Sequence, residues 1–320
     1  MYQLKGKNVL VTGGVGFVGG HLVEELLTIG ARVVVVDIRR DKSSYIYTQK
    51  LDRKSKIVIQ DLCDYDKLIQ LINKYHIDFI FHLAAQAIVS AAYADPKYTL
   101  TNNIVSTINV LEAVRTHTQV KGVVVASSDK CYGKLHKKKY TEADPLAGDH
   151  PYDTSKSATD LICTTYYTTY KIPVVVTRFG NIYGEGDPNL TRIIPGIMKS
   201  LVTGKSLELR SNGTYVRDYL YVKDVVAGYL LLARHIDQAK GQAYNFGSDD
   251  NLTVLEVIKQ VERILKQKVD YTILNTAVNE IPYQSLDYSK IKKKFGWKPK
   301  HSIRNTIKKI YLWYKKANHI

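Results

Sequence analysis

Short apolar runs recur through the first half of the chain, separated by stretches in which apolar residues follow a helical period. Val9 to Val11 reads as a buried strand, and Phe17, Val18, Leu22, Val23, Leu26 and Leu27 as one face of a helix. Further strands are expected at Arg32 to Val36, Lys56 to Gln60, Phe79 to Leu83, Val120 to Ala126 and Pro173 to Thr177. Between them, helices are expected at Tyr65 to Tyr75, Pro96 to Thr116 and Tyr152 to Tyr170. Such alternation predicts an α/β fold with a doubly wound parallel sheet. After Asp187 it loosens into a helix at Thr191 to Leu201, a short strand at Leu207 to Leu209 and a turn at Asn212-Gly213. A strand from Arg217 feeds a helix ending near Ala233, and Ala243 to Phe246 is a further strand. Thr253 and Glu256 have capping-box spacing, Val269 to Leu274 reads as a strand, and the last helices fall at Asp287 to Phe295 and Ile303 to Lys316. The expected division is a nucleotide-binding domain over 1–180, with 216–246 returning to it, and a smaller α/β C-terminal substrate lobe over 181–215 and 247–320.

The first strand runs into Gly13, Gly14, Gly16 and Gly19 before the helix begins. A tight strand-to-helix turn needs backbone free to take positive φ, and a pyrophosphate needs bare N–H groups at a helix N-terminus. Gly13, Gly16, Phe17, Val18 and Gly19 are therefore candidate cofactor contacts. Asp37 ends the second strand, where a carboxylate hydrogen-bonds the ribose 2′-OH of NAD and repels the 2′-phosphate of NADP. Arg39 and Arg40 follow and keep NADP open. Asp61 and Leu62 close the third strand as candidates to hold an adenine ring. His82-Leu83-Ala84-Ala85-Gln86 closes the fourth, where small residues let the backbone pass close to a cofactor; His82 reads as a packed histidine.

The chain has 320 residues, 45% hydrophobic and 24% charged, enough for one large domain or two closely joined ones. No apolar run is long enough to span a bilayer, so no membrane partner is expected. The N-terminus leads straight into the first strand, leaving no room for a signal peptide. Cys63, Cys131 and Cys163 lack metal-ligand spacing, which points to reduced thiols in a cytoplasm and to no metal. The net charge of +16 lies in scattered runs such as Lys137-Lys138-Lys139 and Lys292-Lys293-Lys294. Without an aromatic-interleaved groove these read as solvated surface, with no nucleic-acid partner, though the charge suits an anionic nucleotide substrate.

Tyr152 and Lys156 stand at i and i+4, on one face of a helix. A nearby ammonium lowers a phenol's pKa and fits it to act as a base near neutral pH. Ser128 ends the preceding strand and is placed to donate to the same substrate oxygen. Asp129 and Lys130 follow it. Adjacent residues on an extended backbone face opposite ways, so a local ion pair at a loop start is the plain alternative to a catalytic role.

Here the chain resembles the extended short-chain dehydrogenase/reductases that act on nucleotide sugars. Thr12-Gly-Gly-Val-Gly-Phe-Val-Gly19, His82-Leu-Ala-Ala85, Asn103, Ser128, Tyr152 with Lys156, and Asn181 carry the resemblance over nearly the whole chain. It implies a Rossmann fold, a tightly held NAD regenerated within one turnover, and a homodimer whose 96–116 and 152–170 helices pair into a four-helix bundle. Ser128-Asp129-Lys130 is similar to the CDP-glucose 4,6-dehydratase branch, as are the segments 150–157, 180–187, 192–195 and 280–287. Arg217-Asp-Tyr-Leu-Tyr-Val222 is closer to the dTDP-glucose and UDP-sugar enzymes. The implied reaction is a 4,6-dehydration giving a 4-keto-6-deoxy sugar, with Tyr152 the base at the 4-OH, Lys130 the base at C5 and Asp129 the acid at the departing 6-OH. Gln86, Ser128, Asn181, Arg192 and Arg217 become candidate substrate contacts, Arg217 at the pyrophosphate. The competing readings are a nucleotide-sugar 4-epimerase using the same Tyr152 and Lys156, and a non-catalytic NAD-binding regulator.

Overall fold

The computed structural model describes residues 3–135, 137–276 and 281–316, so Glu280 lies outside the described residues. The chain forms two compact units. One gathers 1–135, 142–178 and 226–245, the other 136–141, 179–225 and 246–320. Residues 216–246, expected to return whole to the first unit, divide at Val226, because the strand Val216–Tyr221 pairs with strands of the second unit.

In the first unit the valine-rich runs form strands whose side chains are buried on both faces, as a parallel sheet covered by helices requires. Among the described residues seven strands line up in the order Ala243–Phe246, Val174–Phe179, Val123–Ala126, Phe79–His82, Asn8–Thr12, Arg32–Asp37 and Lys56–Ile59. The ladders from Val174–Phe179 to Lys56–Ile59 are parallel. The chain builds outward from Asn8–Thr12 through two further strands, then returns to its other side with Phe79–His82. Ligands of such sheets bind at the carboxyl ends where this reversal occurs, here beside Thr12 and its register partner His82. The flanking helices start where the sequence supplies caps: Asp64 and Asp95 each accept from the backbone N–H of the third residue of the helix they open, and Pro96 and Pro151 occupy first-turn positions that need no donor.

Two expectations shift. The strand expected from Val120 begins at Val123, because the Val120 amide turns back to the His117 carbonyl at 3.0 Å. The polar stretch 134–149 contains a two-residue strand, Lys139–Tyr140, which pairs with Ser285 and Leu286 in the second unit.

The second unit carries a five-stranded sheet in which Asn251–Thr253, Val216–Tyr221, Tyr283–Leu286 and Lys139–Tyr140 are neighbours in that order, with Asn181–Tyr183 also on Val216–Tyr221. Its centre is pinned by Asp218, which is buried and accepts from the Leu286 amide at 3.0 Å. Gly180 must be bare there, since a Cβ would overlap the Asp218 carboxylate. The capping box of Thr253 and Glu256 forms as expected and opens the helix Val254–Leu265.

Candidate active site

Each glycine of the first turn has its own task. Gly13 adopts φ +69°, and a Cβ on it would lie 2.8 Å from the Ala84 amide nitrogen, so the turn packs directly on the end of the Phe79–His82 strand. A Cβ on Gly19 would overlap the Gly13 carbonyl and sit 2.6 Å from Gly14 Cα. Gly19 thus closes helix against turn. Gly16 is different: its Cβ would meet only the Gly13 oxygen, at 3.1 Å. It caps the helix Phe17–Thr28 with no side-chain hydrogen bond, so the N–H groups there meet a bare backbone. Phe17 is buried and Val18 half-buried.

Asp37 is tied to this turn. Its Oδ2 accepts from the Val15 amide at 3.1 Å and its Oδ1 from the Ile38 amide at 2.9 Å. Burial pushes its carboxyl above the usual range, while these amides pull it back. Arg39 is exposed nearby. A cleft of about 500 Å³ lies beside the turn, lined by Ile38, Ile59, Gln60, Asp61, Lys67 and Tyr98. Leu62, expected to touch an adenine, is buried and does not line it; Ile38 and Tyr98 do. Their exposure gave the sequence pattern no signal. A bare helix N-terminus, a carboxylate on the glycine turn and an adjoining cleft fit a dinucleotide laid across the carboxyl ends of the strands.

Behind the turn runs a buried polar chain. The Thr12 hydroxyl contacts His82 Nδ1 at 2.8 Å and accepts from the Leu83 and Ala84 amides at 3.1 and 3.2 Å. His82 Nε2 reaches the Thr107 hydroxyl at 3.3 Å. Burial first, then the Lys156 charge, lower the His82 pKa to about 3, so this imidazole is neutral and packed, as expected. Asn103 accepts from the Gln86 amide at 2.7 Å and donates to the Gln86 carbonyl and to Ser155 Oγ, both at 3.0 Å. These bonds set the path of 83–86, Ala85 included.

Tyr152 and Lys156 lie on the helix Pro151–Tyr170, both buried, with the ammonium 6.0 Å from the phenol ring centre. The ammonium donates to the Ala126 carbonyl at 2.7 Å. Burial pushes its pKa down to about 8, against the pull of the Asp160 carboxylate, four residues on. Asp160 in turn accepts from Arg178 Nε and Nη2 at 3.1 and 2.7 Å and from the Ser127 hydroxyl. Arg178 Nη1 donates to the Tyr132 hydroxyl at 2.6 Å, and that hydroxyl donates to Asn245. No periodicity marks this network, because its members come from four elements.

Ser128 opens a 3₁₀ turn, Asp129–Tyr132, and its hydroxyl accepts from the Lys130 amide at 3.2 Å and donates to Asp129 Oδ1 at 2.9 Å. The backbone is therefore not extended here. The turn brings Lys130 Nζ to 4.0 Å from Asp129 Oδ2, with the acid buried and the lysine one-fifth exposed. The turn packs on the helix Pro151–Tyr170, so a phenol, two ammonium groups, a hydroxyl and a buried carboxyl belong to two neighbouring elements, groups suited to moving protons.

In the second unit, Asn181 has a buried amide nitrogen with no hydrogen-bond partner among the described residues. Arg217 Nη1 is held by the carbonyls of Val216 and Ile281 at 2.9 and 2.6 Å. Arg192 is paired to the buried Asp187 at 3.1 Å, a partner the sequence reading did not assign.

Residues 10–310 match the family described as GDP-mannose 4,6 dehydratase. A CDP-glucose 4,6-dehydratase of Salmonella typhimurium is 30% identical over 335 residues, covering 97% of this chain and 91% of that one. The solved dTDP-glucose 4,6-dehydratase of Streptomyces venezuelae, with NAD and TYD bound, superposes with a TM-score of 0.87 at 27% identity, covering 97% of each chain. The UDP-glucose 4-epimerase of Thermotoga maritima with UDP-glucose gives 0.88 at 27% identity, covering 97% of this chain and 99% of that one. The chain belongs to the GDP-mannose 4,6 dehydratase family, within the extended short-chain dehydrogenase/reductases. No helix among the described residues is long and apolar enough to cross a membrane.

Proposed function

We propose that this chain is an NAD-dependent nucleotide-sugar 4,6-dehydratase with CDP-glucose as its preferred substrate. The observation that carries the reading is the buried Asp129 beside Lys130 on the turn that Ser128 opens. An epimerase needs only a base at the 4-OH; a dehydratase needs, in addition, a base at C5 and an acid at C6. Gly13, Gly16, Gly19 and Asp37 would hold NAD, which would supply the hydride acceptor for C4 and the hydride donor for C6. Tyr152 takes the 4-OH proton, with the Lys156 ammonium stabilising the phenolate. Ser128 holds the developing carbonyl oxygen. Lys130 removes the C5 proton that the new ketone acidifies, and Asp129 protonates the departing 6-OH. Asn181 and Arg217 hold the sugar nucleotide, the orphaned Asn181 amide offering a donor and the carbonyl-anchored Arg217 a fixed charge for the pyrophosphate. Arg192 lines the same lobe with its charge partly spent on Asp187, and Gln86 borders the sugar. The Asp-Lys pair supports CDP-glucose over dTDP-glucose. The active species is a homodimer through the Pro96–Thr116 and Pro151–Tyr170 helices, whose Ile108 and Leu161 are exposed in the single chain.

The test is mass spectrometry of products from CDP-glucose, dTDP-glucose, UDP-glucose, UDP-N-acetylglucosamine and GDP-mannose, each with NAD⁺. Loss of one water, largest with CDP-glucose, is the expected result. An isomer of unchanged mass would make the chain an epimerase, the second reading, which its likeness to a solved 4-epimerase supports. No change with any sugar would leave the non-catalytic NAD-binding reading.

A further inference from the structure

The proton count of a 4,6-dehydration does not close on the five groups above. Tyr152 gains the 4-OH proton, which stays behind because the product keeps its ketone. Asp129 loses a proton into the departing water. Lys130 takes a proton from C5 and returns one to C5 as the reducing equivalent taken from C4 arrives at C6. Each turnover thus ends with Tyr152 one proton richer and Asp129 one poorer. Tyr152 sheds its proton to solvent as product leaves. Asp129 is almost wholly buried and needs a donor.

The structure supplies one beside it. His150 and Asp153 flank Tyr152 at the start of the Pro151–Tyr170 helix, with His150 Nε2 at 3.1 Å from Asp153 Oδ1. Asp153 is buried; the His150 side chain is 17% exposed. The Tyr93 ring lies against the imidazole at 5.2 Å, and His150 Nδ1 is a buried polar atom with no hydrogen-bond partner among the described residues. Through Ser157, the backbone at Asp153 is tied to the turn that carries Asp129 and Lys130. The Ser157 hydroxyl sits 2.7 Å from the Cys131 carbonyl and 3.2 Å from the Asp153 carbonyl, and accepts from the Gly148 amide at 3.0 Å. A Cβ on Gly148 would overlap the Asp153 backbone, so the approach is close. His150 on its own turn touches the Asp153 carboxyl, and Lys130 and Asp129 on the neighbouring turn act on it through space.

We propose that the His150–Asp153 pair reloads Asp129 with a proton after each turnover, Asp153 passing it inward and His150 drawing its replacement from solvent. The inference rests on the dehydratase reading. Burial raises the Asp153 carboxyl above its ordinary range despite His150, which suits a group that must hold a proton and release it. An acid in the first turn of a helix also favours that helix through its dipole, and that purely structural role must be separated from a relay.

Rapid-quench kinetics on the nucleotide sugar the wild type dehydrates best separates them. With Asp153→Asn, the first turnover should stay within about threefold of wild type and later turnovers should slow by about tenfold or more, giving a burst the wild type lacks. Added formate or imidazole should restore the later turnovers. His150→Gln, which leaves Asp153 in place, should show the same burst. A steady-state rate equal to wild type in both variants would overturn the proposal and leave the Ser128 hydroxyl to carry the proton across. First and later turnovers falling equally, without rescue, would assign Asp153 a structural role. A wild type that dehydrates no sugar would instead overturn the dehydratase reading itself.

Discussion

The Lys156 ammonium donates to the Ala126 carbonyl at 2.7 Å, at the end of the strand that delivers Ser128. The bond fixes a charge beneath Tyr152 while burial weakens that charge, bringing the lysine's pKa down to about 8. The ammonium is therefore present below pH 8 and lost above it, and with it the support for the Tyr152 phenolate. The kcat/KM of the wild type should fall above about pH 8. Lys156→Arg keeps its charge at every accessible pH, so its profile should lack this basic limb, at a maximal rate lower by about tenfold or more. A limb unchanged in Lys156→Arg would assign it to another group.

Gly16 and Gly19 should separate cofactor binding from folding. At Gly19 an alanine Cβ collides with backbone on two sides, so Gly19→Ala must push helix from turn and should lower stability by about 2–4 kcal/mol as well as abolish NAD binding. At Gly16 the same methyl meets one carbonyl oxygen at 3.1 Å. Gly16→Ala should melt within a few degrees of wild type yet bind NAD about tenfold or more weakly, because its methyl occupies the phosphate's approach. Thermal melts with and without NAD check both.

Much of this site is legible in sequence because its parts repeat on a short scale. The glycine turn, Asp37 and the Tyr152–Lys156 spacing each fall within a single strand–helix–strand unit. The rest depends on partners far along the chain. Thr12 meets His82 across 70 residues, and Asp160 meets Arg178 across 18 and two elements. The strand Lys139–Tyr140 is too short to have a period and exists only because Ser285 and Leu286 pair with it. On an extended segment Asp129 and Lys130 would face opposite ways; a turn closed by Ser128 puts them on one side. The strand from Arg217 is expected to return with 216–246 to the first domain, yet the buried Asp218 locks it to Leu286 in the second unit.

His82 should make the fold acid-sensitive in a defined window. Its pKa falls from 6.5 unfolded to about 3 folded, so the unfolded chain binds the proton more readily between those values. Its contribution to stability is complete above pH 6.5 and is lost progressively as pH falls toward 3. Between pH 7 and pH 4 the loss is on the order of 3 kcal/mol. His82→Gln, which keeps a polar partner for Thr12, should be less stable than wild type at pH 7 by about 1–2 kcal/mol, and the gap should close or invert by pH 4. Urea melts at both pH values read this directly; a gap independent of pH would mean that His82 protonates without penalty.

Asp160 should couple fold and chemistry. Its carboxylate satisfies the buried Arg178 guanidinium through two hydrogen bonds and takes a third from Ser127. The same carboxylate holds up the Lys156 pKa against desolvation. Asp160→Asn leaves Arg178 buried without its counter-charge, which should cost about 3–5 kcal/mol in urea unfolding. It also removes a carboxylate supporting the Lys156 charge, so the basic limb of kcat/KM should move below pH 8, opposite to the effect of Lys156→Arg. Pairing Asp160→Asn with Arg178→Gln removes the stranded charge, so the double variant should recover part of the stability but not the position of the limb. If stability and limb recover together, Asp160 acts on Lys156 only through the fold; if the limb stays low, the carboxylate sets the charge that Tyr152 relies on.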